Sequence, residues 1–114
     1  MFEPDLDAAA RAIDMATTVV DAGLVALGEA GGPDAAQVLA YDLAHSASAV
    51  ATARAMLEYG AGGDEEALLC CAFAADTVRE LASRLAGRHA LWNLTTDALA
   101  DGDDFVARFC APSL

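Results

Sequence analysis

Asp42 and His45 stand three residues apart in YDLAHSAS, a spacing that places both on one face of a helix. An acid-x-x-His pair can ligate a metal, but carboxylate di-metal bundles draw glutamates from several helices and use two Glu-x-x-His pairs. Here the pair is single and its acid is Asp. No metal is expected, and either a helix-surface hydrogen bond or a buried histidine bonded to a neighbour is the anticipated role.

Thiol chemistry is the second possibility. Cys70 and Cys71 are adjacent and Cys110 lies far along the chain, so neither a CxxC redox pair nor a recognised zinc spacing is formed. A reactive thiolate needs a nearby cation or a helix N-terminus, whereas Asp64, Glu65 and Glu66 bring negative charge. Cys70 and Cys71 are expected to be inert core filler. His45, Ser46 and Ser48 crowd one stretch of helix and cannot converge as nucleophile, base and orienter. The glycine turns GGP and GAGGD lack the strand-loop-helix context and the lysine of a phosphate cradle. No catalytic residue is expected.

These residues must be positioned by helices. Alanine supplies much of the 56% hydrophobic content and proline is scarce, which favours helix because alanine loses no side-chain entropy there. A first helix is expected from Pro4 and Asp5 to about Leu27, with Asp7, Arg11, Asp14, Thr18 and Asp21 on a wet face and Leu6, Ala10, Ile13, Val20, Leu24 and Leu27 opposite. Gly28 is expected to end it in a left-handed conformation, with Pro33 where the next helix begins.

A second helix, Asp34 to Tyr59, carries two apolar stripes: Val38, Tyr41, Ala49, Met56 and Tyr59, and Leu39, Leu43, Ala47, Val50 and Leu57. Helices one and three are expected to cover both, leaving helix two no need of an outside partner. A third helix is expected over Glu65 to Ala86, closed by Gly87, with Arg84 and Arg88 near its negative end. Its first half, Ala67 to Ala75, shows no polar residue on any face and is expected to be buried all round, inside the bundle or against another chain. Beyond it, short helical turns flank Thr95 and Thr96, with Thr96 as a cap, and Asp103 and Asp104 cap a last helix, FVARFC, stopped by Pro112. The expected fold is all-α: an antiparallel bundle of three long helices plus one or two short C-terminal ones, one domain over residues 1–114.

At 114 residues the chain can bury roughly 65% of its unfolded surface without a disulfide or metal. Its net charge of −12, with six arginines and no lysine, argues against nucleic acid, whose phosphates need a basic stripe, and against an anionic membrane surface. An odd number of cysteines, and a start without basic or long apolar segments, lead to the expectation of a reducing, cytoplasmic setting without a membrane span.

The hairpin YDLAHSASAVATARAMLEYGAGGDEEALLCCAFAADTVRELASRL resembles the helical bundle of the flavin-dependent acyl-CoA dehydrogenase family. It is most similar to the N-terminal helical extension of methylsuccinyl-CoA dehydrogenase-like members, over about Ala36 to Trp92. The resemblance implies a role in assembling or covering a larger enzyme. In that family the complete protein adds a β-domain and a four-helix bundle, binds FAD and uses a catalytic glutamate, to which neither Glu58 nor Glu80 corresponds. The expectation is therefore a non-catalytic domain with no cofactor of its own, FAD entering only with a dehydrogenase body. Leu68, Leu69, Phe73 and Trp92 form the candidate interface toward that body or a second copy, although for Trp92, beside His89 and Leu91, a core anchor is favoured over a partner hot spot. The alternative is a stand-alone homodimer that holds a small apolar or acyl ligand between helices two and three.

Overall fold

The computed structural model describes residues 3–110, so the proposed stop at Pro112 lies outside the described residues. Three long helices, α1 (Leu6–Glu29), α2 (Gln37–Gly60) and α3 (Asp64–Leu85), pack side by side, and a short α4 (Asp103–Phe109) lies against α3. Two 3-10 turns, His89–Trp92 and Ala100–Gly102, link α3 to α4. The all-α antiparallel architecture is as expected, in a rod 45 × 24 × 19 Å across. Among the described residues no helix is long and apolar enough to cross a membrane.

Asp5 starts α1 by accepting the Ala8 N–H at 2.9 Å, which satisfies one of the free donors of the first turn. The far end differs from expectation. Gly28 remains helical, and the reversal is made at Gly31 and Gly32, whose φ values of 99° and 90° suit glycine. Pro33 and Asp34 belong to that turn, so α2 begins three residues later than expected. At α3, Asp64, Glu65 and Glu66 occupy the first turn and Arg84 the last, complementing the helix dipole. Asp103 and Asp104 lie inside the first turn of α4 and do not cap it, and Gly102 is the cap residue. Thr96 caps no helix; the segment around it is a turn in which Thr95 bonds Asp97.

The core is made by Ile13, Val19 and Val20 of α1, Leu39, Leu43 and Val50 of α2, and Val78, Leu81 and Leu85 of α3. Trp92, Phe105 and Phe109 close it from the C-terminal segment. Trp92 is 0% exposed. It is therefore removed from the candidate interface: the large ring fills the space beside Gly23 of α1.

The way α2 and α3 are turned overturns one further expectation and, for Ala67 to Ala75, removes the alternative of burial inside the bundle while leaving that of burial against another chain. Of the two stripes on α2, only Leu39, Leu43, Val50 and their neighbours are covered; Tyr41 is 62% exposed and Tyr59 51%. Neighbouring positions on a helix are separated by about 100°, and α1 and α3 both approach α2 from the side of the Leu39 stripe. Similarly, Ala67 to Ala75 is not enclosed within the chain. Ala67, Cys70, Cys71, Ala74 and Ala75 face the core, Leu68 and Phe73 are half-buried against it, and Leu69 is 54% exposed.

Candidate functional site

Three clefts follow one another along the face where α2 and α3 run antiparallel. At one end, Met56 and Tyr59 of α2 and Leu69, Ala72 and Phe73 of α3 line an open apolar groove of about 570 Å³, with Asp76 at its edge. At the opposite end lie Val38 and Tyr41, beside Asp42 and Arg88. Between them sits a narrower polar cleft of about 210 Å³, bounded by His45, Ser46, Ala49, Phe73, Asp76, Thr77, Glu80, Leu81 and Arg84.

The candidate metal pair does not form. Asp42 turns inward, its side chain 5% exposed, and is held by two guanidiniums: Arg84 Nη1 donates to Oδ1 at 3.0 Å and Arg88 Nη1 to Oδ2 at 2.7 Å. His45 turns outward against the Tyr41 ring, with centroids 4.5 Å apart. Arg84 also lies 5.8 Å over that ring, a cation–π contact. Among the described residues no three His, Cys, Asp or Glu side chains are grouped to hold a metal ion.

Asp42 anchors both guanidiniums, and such a pair resists disruption: removing one partner of a buried ion pair costs about 3–5 kcal/mol, less here because Arg88 is half exposed. Sequence reading missed this cluster. The available signal was Asp42 itself, a lone acid on the Leu39, Leu43 and Ser46 face of α2. An antiparallel α3 brings its C-terminal arginines to that acid.

Ser46 is also buried, and its Oγ has no hydrogen-bond partner among the described residues. A buried hydroxyl left unsatisfied costs about 1–3 kcal/mol, so this is a marked position. Across the cleft, Thr77 Oγ1 donates to the Phe73 carbonyl at 2.9 Å and keeps its lone pairs as acceptors. Ser48 is exposed, on a different side of α2; the three residues His45, Ser46 and Ser48 do not converge.

The thiols are placed as core filler. Cys70 and Cys71 are 0% exposed. Burial pushes the Cys70 thiol up, with a smaller push from Cys71. Burial likewise raises Cys71, although a hydrogen bond to the Asp5 backbone opposes it. Cys110, half-buried, is raised by burial against the opposing pull of Arg79. None is poised as a thiolate nucleophile.

The GAGGD turn does not suit the diphosphate of a flavin dinucleotide, which calls for free N–H groups at a helix start without competing anions: it opens α3 directly onto Asp64, Glu65 and Glu66. Compared with known proteins, the chain matches no protein-family model, no curated protein and no solved structure.

Proposed function

We propose that this chain is a non-catalytic helical docking domain that uses the α2–α3 face to assemble with, or cover, a larger protein. The carrying observation is the open groove of Met56, Tyr59, Leu69, Ala72 and Phe73. An exposed apolar groove of this kind on a small protein supports an interaction site. Of the expected interface residues, Leu69 and Phe73 line this groove, while Leu68 packs partly against the core.

The resemblance of the hairpin to an acyl-CoA dehydrogenase helical extension makes a dehydrogenase body the occupant of first choice, with FAD belonging to that body. A second copy is the weaker occupant, since two chains of net charge −12 repel one another. Three free thiols support a reducing, cytoplasmic setting.

Size-exclusion chromatography with light scattering tests the reading. The chain is mixed with a methylsuccinyl-CoA dehydrogenase-like body from which the helical extension is deleted. Co-elution is expected, with loss of the complex in Leu69→Asp and Tyr59→Asp, both at exposed positions that the fold tolerates. A strict monomer without affinity for such a body would overturn the proposal.

A further inference from the structure

Both walls of the apolar groove are helices whose backbone N–H and C=O groups are bonded within them. An extended segment finds no edge to add to, whereas the furrow between two helices accepts the side-chain ridge of a third. α1 packs against both helices, and the groove lies on the side that it leaves open. On α3 the outward face reads Glu65, Leu69, Ala72, Phe73, Asp76 and Glu80, a spacing that keeps all six within about 100° of arc. Its middle is apolar and both of its ends are acidic. Glu65, Asp76 and Glu80 are exposed. The neighbouring cations are already held, Arg79 by Asp76 and Arg84 by Asp42. Across the groove on α2, Met56 and Tyr59 bring no charge at neutral pH.

We propose, resting on the docking reading, that the groove takes an amphipathic helix of the partner with apolar residues at its centre and lysine or arginine at both ends. Glu65 and Asp76 are separated along α3 by about 16.5 Å at 1.5 Å per residue, so cations roughly three turns apart on the docked helix reach both. Glu80 lies one turn beyond Asp76 and strengthens the same end. A second copy of this chain fits poorly. Two α3 helices stacked on Leu69 and Phe73 set acid against acid whether they run parallel or antiparallel, because both ends of the face carry the same sign.

Two lactam-bridged helical peptides of about 18 residues, identical in their central leucines but flanked by lysine in one and by glutamate in the other, test it through amide chemical shifts of the whole chain. The lysine peptide is expected to shift Tyr59, Leu69 and Phe73 saturably. It is expected to bind about tenfold more tightly than the glutamate peptide at about 0.01 M salt, with most of that difference gone at about 1 M. Glu65→Gln with Glu80→Gln is expected to reduce the tenfold difference to about threefold, whereas Asp7→Asn with Asp21→Asn, an equal change of net charge at exposed positions on α1, is expected to leave it. A lysine peptide with a central proline, which breaks its helix, is expected to lose binding.

No saturable shift with the lysine peptide overturns the proposal, as does a glutamate or proline peptide that binds as tightly. Equal effects of the α3 and α1 charge pairs also overturn it, since net charge alone would then be responsible. A dimer of the chain alone that Leu69→Asp disperses gives the groove to a second copy and overturns it too. Peptide binding without co-elution of a dehydrogenase body rejects that body and leaves the basic helix standing; co-elution without peptide binding does the reverse.

Discussion

Cys71 joins the start of α1 to α3: its Sγ accepts the Asp5 N–H at 3.4 Å and lies 3.5 Å from the Asp5 carbonyl, to which the thiol donates. Burial holds Cys70 and Cys71 above the ordinary thiol value of 9.0. In the unfolded chain they ionise first, so above about that value the unfolded state releases protons that the folded state retains. Stability is accordingly unaffected by these thiols at neutral pH and falls as pH rises from the ordinary value through the raised folded ones. Urea midpoints measured across alkaline pH are expected to decline less steeply for the Cys70→Ala, Cys71→Ala double variant than for the parent; equal slopes would contradict the assignment. The inertness of these residues was readable from their adjacency and acidic flank. The partners of Asp42 were not, because Arg84 and Arg88 lie 42 and 46 residues away and only the crossing of two helices joins them.

At the level of elements, α1 is approached closely at Gly23 by both α2 and the segment after α3. An added Cβ at Gly23 would meet Leu43 Cδ2 and Trp92 Cε3 at 2.6 Å each. Two effects then oppose one another in Gly23→Ala. Replacing a mid-helix glycine stabilises by about 1 kcal/mol, while overpacking a dense core costs about 1–3 kcal/mol. The indole is fully buried and has little room to retreat, so overpacking is expected to win, giving a net loss of about 1 kcal/mol in urea denaturation. A more stable variant would show that the ring can shift. This packing explains why Trp92 belongs to the core: α1 presents a glycine where the ring arrives. The spacing of residues near Trp92 contains no trace of that arrangement, which depends on the left-handed Asn93 and the 3-10 turn before it.

Over the whole molecule, 18 acidic residues face six arginines, and three of those arginines are in ion pairs with Asp14, Asp76 and Asp5 at largely exposed positions. Such pairs contribute little individually, about 0–1 kcal/mol, so self-repulsion dominates the surface. Screening shortens from about 30 Å at 0.01 M salt to about 3 Å at 1 M. The thermal midpoint is expected to rise with salt; relief of 1 kcal/mol corresponds to about 4 °C for a domain near this size. A flat or falling midpoint in calorimetry would mean that the acids are already dispersed enough to ignore one another.

The sequence by itself determined the class, the three long helices and most of their ends, because caps, glycines and the 3.6-residue period act within a turn or two of where they stand. It also identified Leu69 and Phe73 as surface of interest, through an apolar run too complete for one packing face. Which stripe of α2 was covered, where Trp92 went, and what neutralised Asp42 were decided only in three dimensions. The first and third depend on the rotation of a helix about its own axis, chosen jointly by all the neighbours competing to bury their larger side chains, and the second on the turn that carries Trp92 back to α1.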